Sequence, residues 1–268
     1  MSNTSNVQTP VSFTDLHNSA DVALASLLAA RSKHSAYQEL HPWVRHLLGE
    51  GASPRGKSEE ARLAHMQAQL PFAGRRVLDI GANTGYFSFG ALEHGSANVH
   101  AVEGNREHAA FMTQAAQLLD LGEQLEVEHG YFDFSEQSLW NHDLVLCLNV
   151  LHHLGDDFGA HGQDIVSAKQ AMGFDLRRLA SHAEHCWFQL GFNWKGDRHK
   201  PLFEHGLKSE LIDFVAQACE NTWSVEQVAI FNPQSGQYEH CTDALLQRVD
   251  ELGEFLNRPL FLLKRKIF

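Results

Sequence analysis

Residue types that could do chemistry are concentrated between Val77 and Ser88, and a second acid follows about twenty residues later. An apolar run ends at Asp79 and is followed by a glycine- and asparagine-rich turn that contains Gly81, Ala82, Asn83 and Gly85. Glycine lets the backbone bend sharply and approach a ligand, and asparagine is among the few other residues that tolerate positive φ. Glu103 ends a second apolar run, where acids of dinucleotide folds accept hydrogen bonds from ribose hydroxyls. The pattern predicts a nucleotide-binding βαβ unit and a ribose-containing cofactor.

The glycine positions indicate which cofactor is bound. The NAD fingerprint has glycine at the first, third and sixth positions of the loop, but counting from Gly81 the third and sixth are Asn83 and Tyr86. No Gly-Lys-Ser/Thr follows, so the phosphate-binding loop of nucleotide triphosphatases is also excluded. The segment from Asp79 to Gly85 instead resembles the first motif of class I S-adenosylmethionine-dependent methyltransferases, although Asn83 stands where that family most often has glycine. The resemblance implies S-adenosyl-L-methionine as cofactor, held by the turn, Glu103 and Gly104.

The third strand ends in an aromatic segment. Many members of the resembled family have a Gly-Asp pair here, whose acid meets the adenine amine, but in this chain Tyr131 takes the place of the acid. Adenine would then be held by the backbone of Tyr131 and Phe132 or by stacking, with Asp133 as a further candidate. The alternative is that these aromatic side chains belong to the core.

The fourth strand runs into Asn149, His152 and His153. The resemblance places the backbone at Asn149 beneath the methionine part of the cofactor, facing the methyl acceptor. A histidine here is a candidate catalytic base for an acceptor hydroxyl, because the pKa of free imidazole lies near neutral pH. Neighbouring residues of an extended chain point in opposite directions, so at most one of the two histidines should face the site. Loop acids and a lone histidine are usually solvated, so no metal site is predicted from the group Asp156, Asp157 and His161.

The loop after the fifth strand is basic and aromatic. We predict that it binds an anionic or sugar-like acceptor through Trp194, Lys195, Arg198 and Lys200. The alternative is an ordinary solvated loop. An N-terminal segment with His41, Trp43 and Arg45 is predicted to form the opposite wall of the site.

The order of elements predicts an α/β fold, a Rossmann-like, doubly wound, mostly parallel sheet of seven strands with an N-terminal helical extension. Residues 1–70 would be the extension, helical over Ser19 to Arg31, Tyr37 to Leu48 and Ser58 to Leu70, and residues 71–268 the sheet domain. Strands are predicted at Arg76 to Ile80, Asn98 to Glu103, Leu125 to His129, Asp143 to Asn149, His185 to Leu190, Ser224 to Phe231 and Leu260 to Lys266. Helices are predicted at Tyr86 to His94, Arg106 to Leu119, Ile165 to Ala180 and Lys208 to Ala218, with a further helix over Thr242 to Leu256. The family resemblance implies that the last two strands are antiparallel.

Composition limits the possible partners. The 268 residues carry a formal net charge of −12, which disfavours nucleic acid and anionic membranes as partners. The four cysteines are widely spaced and predicted to be reduced, and the polar N-terminus is not expected to be a signal sequence. No run approaches the length of a membrane span, so a cytoplasmic protein is expected. The sequence leaves the oligomeric state open.

The second half of the chain, with Asn149 to Leu154, Asp164 and Arg258 to Leu262, is similar to the methyltransferase half of bacterial O-antigen chain-terminating enzymes. The expected function is therefore S-adenosylmethionine-dependent O-methylation of a small-molecule, glycan or phosphate acceptor. Two alternatives stay open, a tRNA-modifying methyltransferase and a non-catalytic S-adenosylmethionine-binding protein. Base-methylating families carry Asn/Asp-Pro-Pro-aromatic after the fourth strand, and only Asn149 agrees with that pattern here.

Overall fold

The computed structural model describes residues 22–28, 38–48, 58–135, 142–248 and 253–267. Of the predicted N-terminal helices, helix α1 occupies residues 22–28 and α2 occupies Pro42–Leu48. Residues 38–41, predicted as part of the second helix, are not helical, and the rest of the two predictions lies outside the described residues. Within the described residues, no helix is both long and apolar enough to cross a membrane.

The strands form one sheet, and its fold class is the predicted one. The strands are β1 Arg76–Ile80, β2 Asn98–Glu103, β3 Leu125–His129, β4 Leu144–Leu148, β5 His185–Gln189, β6 Trp223–Asn232, β7 Gln237–His240 and β8 Leu260–Arg265. Their order is β3-β2-β1-β4-β5-β8-β6-β7, with β1 to β5 parallel and β8 inserted antiparallel between β5 and β6. The antiparallel arrangement of the last two predicted strands is confirmed. Among the described residues the sheet has eight strands and not the predicted seven, because the short β7 pairs with the end of β6.

Helices cover both faces of the sheet and end within two residues of their predicted limits. They are α3 Glu59–Gln69, α4 Tyr86–Glu93, α5 Arg106–Leu118, α6 Ile165–Arg178 and α7 Lys208–Cys219. The segment predicted as one helix over Thr242 to Leu256 holds two short ones, α8 Asp243–Gln247 and α9 Gly253–Leu256. Ser58 precedes α3 as expected, but its φ of 64° turns the side chain away from a capping role and it makes no cap hydrogen bond. Asn105 and Asp164 do cap α5 and α6 through their side chains.

The core has two layers, one on each face of the sheet. On one face, Val77 and Trp187 pack in the same cluster as Phe89 and Met66, and this cluster also takes in Val44 of α2. On the other face, Val145 and Phe188 pack with residues of α6 and α7. The described N-terminal helices therefore share a core with the sheet. The division into two domains at residue 70 stays a prediction.

Strands β1 and β4 lie side by side, and from them the strand order runs outward in both directions. In open α/β sheets, ligands bind at such a switch point, outside the carboxyl ends of the strands. The loops after β1, β2, β3 and β4 all open on this edge, because these strands are parallel.

Candidate active site

A cavity of about 340 Å³ lies at the carboxyl ends of β1 to β4. This volume is within the range of small-molecule sites, about 300 to 1,000 Å³. Its lining includes the predicted cofactor residues Asp79, Gly81, Ala82, Asn83, Glu103, Gly104, Tyr131, Phe132 and Asn149, but not Gly85. The structure therefore brings together groups that are far apart in sequence. Their binding role stays a prediction.

The turn after β1 is built from positive-φ residues, as its composition indicates. Gly81, Asn83 and Gly85 have φ of 70°, 56° and 84°. A Cβ on Gly81 would lie 2.8 Å from Cγ2 of Val150, so the turn presses directly against the chain that leaves β4. A Cβ on Gly85 would instead meet Phe89 at 2.8 Å, so Gly85 supports the packing of α4 behind the cavity.

Glu103 organises the loops on both sides of it. Its two carboxylate oxygens accept hydrogen bonds from the backbone N–H groups of Asn83 and Asn105, each at 2.7 Å. The side chain is largely buried, yet it lines the cavity. Glu103 Oε1 also lies 3.9 Å from His108 Nδ1, so this carboxylate joins the loop after β1 to the start of α5.

Asp79 is buried, and its Oδ2 accepts a hydrogen bond from Ser88 Oγ at 2.6 Å. Burial raises the pKa of Asp79 to about 7, with a contribution from the nearby charge of Glu103, while the bond from Ser88 acts in the opposite direction. The Asp79 carboxyl is thus partly protonated near neutral pH. A shift of this kind, caused by desolvation and a like charge, is typical of functional sites.

Aromatic rings form the wall of the cavity at the β3 end. Tyr131 stacks on Phe158 with ring centroids 6.4 Å apart, and Phe158 contacts Phe134 at 5.8 Å. The Tyr131 ring also covers Gly104, where a Cβ would lie only 2.2 Å from the ring. Tyr131 is 56% exposed, so it is not a core residue. An exposed aromatic ring at a cavity wall suits stacking on a flat apolar ligand. Asp133 lies outside the cavity lining, and its carboxylate accepts a hydrogen bond from Ser135 N at 2.7 Å; its contact with adenine stays a prediction.

Asn149 follows β4 with a left-handed φ of 64°. Its side-chain amide is engaged on both sides, since Nδ2 donates to Gln189 Oε1 at 2.9 Å and Oδ1 accepts from Arg258 Nη1 at 2.8 Å. Arg258 is held in turn by Glu254 at 2.8 Å. This buried network links β4, β5 and the approach to β8. It fixes the turn at which Asn149 lines the cavity.

The structure separates the two histidines that follow β4. His152 is buried outside the cavity, and its Nδ1 accepts a hydrogen bond from Gly191 N at 3.2 Å. His153 lines the cavity together with Asp157, and His153 Nδ1 lies 3.3 Å from Asp157 Oδ2. A carboxylate this close to one ring nitrogen restricts the orientation of an imidazole. Of the two predicted bases, His153 is the one placed to meet a ligand, and its role stays a prediction.

The acids of the same loop are arranged differently from the grouping considered in the sequence. His153, Asp156 and Asp157 have ligand atoms within 4.8 Å of one another, a spacing that admits a cation. His161 instead lies with Nδ1 3.3 Å from the carbonyl oxygen of Gly155. Exposed acidic groups with this spacing are common without an ion.

The predicted acceptor-binding residues after β5 lie outside the cavity lining. Trp194 is buried, and its Nε1 donates to the carbonyl oxygen of Leu154 at 2.7 Å. Lys195 Nζ donates to the carbonyl oxygen of Gly155 at 2.7 Å. These two residues therefore hold the turn that carries His153. Arg198 and Lys200 are exposed, and their acceptor role stays a prediction.

The N-terminal segment lines the cavity through residues other than those that sequence reasoning named. The predicted residues His41, Trp43 and Arg45 do not line the cavity, and their place is taken by Gln38, Glu59, Arg62, Phe87 and Phe255. Gln38 Oε1 accepts hydrogen bonds from Thr84 Oγ1 and Tyr86 N, both at 3.1 Å. An acid and a base in a helical pattern were visible in the sequence at Glu59 and Arg62, but no local signal indicates which way that helix face points.

The strand order, the glycine turn after β1 and the acid at the end of β2 together define the class I methyltransferase fold. The chain is similar to WbdD, with a TM-score of 0.58 and 17% identity over 90% of this chain and 46% of that one. Another structure of that protein describes it as a bifunctional kinase-methyltransferase. The chain is also similar to EvdMO1, with a TM-score of 0.52 and 12% identity over 97% of this chain and 49% of that one. It thus spans about half the length of both proteins.

A third similar structure is a putative hemolysin from Streptococcus thermophilus, with a TM-score of 0.50 and 15% identity over 78% of this chain and 66% of that one. No protein-family model and no curated protein matches the chain. At these identities the structural likeness establishes the fold, and the function has to be argued from the site.

Proposed function

We propose that this protein is an S-adenosylmethionine-dependent methyltransferase that acts on oxygen. The observation that carries the proposal is the order of groups along one cavity, with aromatic rings after β3, the carboxylate of Glu103 after β2 and the glycine turn after β1. A flat apolar base, a ribose and a compact charged end would meet these groups in that order. When bound, the cofactor supplies an electrophilic methyl group.

The residues fit this cofactor in two specific ways. An added Cβ at Gly81 or Gly104 would meet Val150 or Tyr131, which both line the cavity, so glycine at these two positions lets the cavity walls keep their places. Glu103 is fixed by two backbone donors at the end of β2, where acids of dinucleotide folds accept hydrogen bonds from ribose hydroxyls. The protein would act mainly by holding two reactants in contact and excluding water, an effect worth up to about 7 to 11 kcal/mol in favourable cases.

The acceptor is proposed to be a small molecule, a glycan or a phosphate. An acceptor hydroxyl must lose its proton as the new bond forms, and His153, held by Asp157, would take that proton. A phosphate or carboxylate oxygen is already anionic, and His153 would then only position it.

Calorimetric titration with S-adenosylmethionine, S-adenosylhomocysteine and NAD tests the cofactor. We expect the first two to bind and NAD not to bind. Binding of NAD alone, or of none of the three, would overturn the proposal.

Methyl-labelled cofactor then identifies the acceptor class among phosphorylated glycans, small hydroxyl compounds and RNA. Strongly salt-dependent labelling of RNA would support the tRNA alternative, and cofactor binding with no labelled product from any pool would support the non-catalytic one.

With an acceptor in hand, His153→Asn tests the base. We expect kcat to fall by about 100-fold or more for a hydroxyl acceptor, since general bases contribute about 10²- to 10⁴-fold, with cofactor affinity unchanged. His161→Asn is the matched control, because His161 is an exposed histidine of the same loop. Assays with EDTA and with added Mg²⁺ distinguish His153 acting as a base from His153 acting as a ligand of a metal ion. Equal loss in both variants, or loss reversed by Mg²⁺, would argue against a base.

A further inference from the structure

Arg258 is a buried arginine that contacts two walls of the cavity. Its Nη1 donates to Oδ1 of Asn149 at 2.8 Å, at the turn after β4. Its guanidinium carbon lies 4.9 Å from the ring centroid of Phe255 in α9. Asn149 and Phe255 both line the cavity, whereas Arg258 lies outside the lining and is only 4% exposed. One side chain from the approach to β8 therefore joins two parts of the wall that are far apart in sequence.

The charge of Arg258 is compensated by Glu254. Glu254 Oε1 accepts hydrogen bonds from Nη2 and Nε of Arg258 at 2.8 and 3.2 Å, and it accepts another from Phe192 N at 2.8 Å. The carbonyl oxygen of Arg258 accepts from Nε2 of Gln189 at 2.9 Å. Gln189 Oε1 accepts in turn from Asn149 Nδ2. Arg258, Gln189 and Asn149 thus form a closed ring of hydrogen bonds.

Stability alone does not account for an arginine at this position. Replacing a buried ion pair by apolar side chains of similar volume is often neutral or stabilising. A planar guanidinium instead offers donors in a fixed geometry, and this one directs Nη1 to Asn149 while Nη2 and Nε face Glu254. Asn149 has a left-handed φ of 64°, which persists only where the surroundings hold it. The ring of hydrogen bonds supplies that support.

The turn that is held in this way packs against the glycine turn after β1. Val150 follows Asn149, and its Cγ2 would lie 2.8 Å from a Cβ on Gly81. In the proposed function, the glycine turn meets the compact charged end of the cofactor. A shift of Asn149 would therefore move the cavity wall at that end. Glu103 and the aromatic rings follow other strands, so the contacts of the ribose and the base would be kept.

Phe255 lies at the same end of the cavity. The guanidinium carbon of Arg62 is 5.0 Å from the ring centroid of Phe255 and 5.4 Å from that of Phe87. Phe87 belongs to the first turn of α4, the helix that begins directly after the glycine turn. Arg258 therefore contacts both sides of this end, Asn149 on the β4 side and Phe255 on the α9 side.

We propose that Arg258 is a positioning residue of the cofactor site. It acts through Asn149 and Phe255, and it fixes the spacing of the two walls between which the amino-acid end of S-adenosylmethionine is bound. The segment before β8 thereby has a role in binding, although Arg258 itself does not line the cavity. This inference rests on the proposed function.

Binding of two ligands tests this role. S-adenosylhomocysteine carries the amino-acid end, and 5′-methylthioadenosine has the same base and ribose without it. Arg258→Lys keeps the charge but loses the planar fork, so we expect it to weaken binding of S-adenosylhomocysteine about tenfold or more, the size of a lost charge-assisted contact. Binding of methylthioadenosine should stay within about twofold. Arg76→Lys is the matched control, because Arg76 also pairs with an acid, Asp143 at 3.0 Å, but at the amino-terminal end of β1.

An apolar replacement separates positioning from stability. Arg258→Met combined with Glu254→Leu removes the ion pair without leaving a buried charge, so the melting temperature should be retained. Affinity for S-adenosylhomocysteine should still fall about tenfold, since the apolar pair cannot hold Asn149. Asn149→Gly tests the route, because glycine keeps the positive φ and removes the amide. Its loss of affinity should not add to that of Arg258→Lys.

Unchanged affinity in the folded apolar variant, equal losses for both ligands, or additive losses in Asn149→Gly and Arg258→Lys would overturn the inference. If the apolar variant does not fold, Arg258→Lys and its combination with Asn149→Gly decide. Failure of the unsubstituted protein to bind either ligand would instead overturn the proposed function.

Discussion

At the scale of single residues, Asp79 should make cofactor binding depend on pH. Its pKa of about 7 means that the carboxyl is neutral below that pH and charged above it. S-adenosylmethionine carries a positive sulfonium, so we expect its affinity to fall as the pH is lowered through 7. Asp79→Asn should weaken binding about tenfold at pH 8, the size of a lost charge-assisted bond, and remove most of the pH dependence.

Titrations between pH 6 and 8.5 check this expectation. S-adenosylhomocysteine, which lacks the sulfonium charge, serves as the control ligand and should respond less to pH. An unchanged pH dependence in Asp79→Asn would assign the effect to another group.

Glu103 offers a second residue-scale prediction. Glu103→Ala removes the proposed ribose acceptor and the partner of two backbone N–H groups, so we expect cofactor affinity to fall at least tenfold. Glu128→Ala is the matched control, because Glu128 is a largely exposed acid on the neighbouring strand β3. Similar affinities of the two folded variants in calorimetric titration would contradict the placement of the ribose.

At the scale of elements, the contact between two loops can be tested by adding one methyl group. Gly104 does not have positive φ, so alanine suits its backbone, but the new Cβ would lie 2.2 Å from the Tyr131 ring. The exposed ring can move aside, so we expect weaker cofactor binding and an almost unchanged melting temperature. Gly122→Ala, where no atom lies within 4 Å of the added Cβ, is the control.

A double-mutant cycle identifies the cause. If the loss comes through the ring, Gly104→Ala and Tyr131→Ala should lower affinity by similar amounts and the double variant should lose no more. Additive losses would show that Gly104 acts independently of Tyr131.

The elements also show where sequence reasoning reaches its limit. The strands and the turn from Gly81 to Gly85 were predictable because periodicity and positive-φ residues are local signals. Trp194 and Lys195 were predicted to bind an acceptor, but their hydrogen bonds to the turn after β4 depend on how two loops pack. The wall with Arg62 likewise depends on contacts between segments far apart in sequence. The eighth strand, β7, has four residues, too few for a clear alternation.

At the scale of the whole molecule, the sheet carries buried histidines at the end opposite the cavity. His142 precedes β4 and His182 precedes β5, and His142 N donates to the carbonyl oxygen of His182 at 3.2 Å. The His142 ring stacks on that of His100 with centroids 5.9 Å apart. Burial lowers the pKa of His142 to about 4, with contributions from His100 and His182, and burial also lowers the pKa of His182. Protonation of these rings therefore opposes folding.

This arrangement makes the stability of the fold sensitive to acid. The pKa of His142 is about 4 in the folded protein against 6.5 as the ordinary value, so between these pH values the unfolded chain binds the additional proton. The stability that the neutral ring contributes is complete above pH 6.5 and is lost as the pH falls toward 4. At about 1.4 kcal/mol per pKa unit, the loss is at most about 3 kcal/mol.

Urea unfolding of the protein and of His142→Leu at pH 7.5, 6 and 5 measures this loss of stability. The difference in stability between the two proteins cancels the opposite contribution of Asp79, which both contain. We expect the variant to gain stability relative to the unsubstituted protein as the pH falls, while His199→Leu, at an exposed histidine, should show no such gain. A stability difference for His142→Leu that is the same at all three pH values would mean that the ring titrates alike in the folded and unfolded chains, and would place the acid sensitivity of the fold elsewhere.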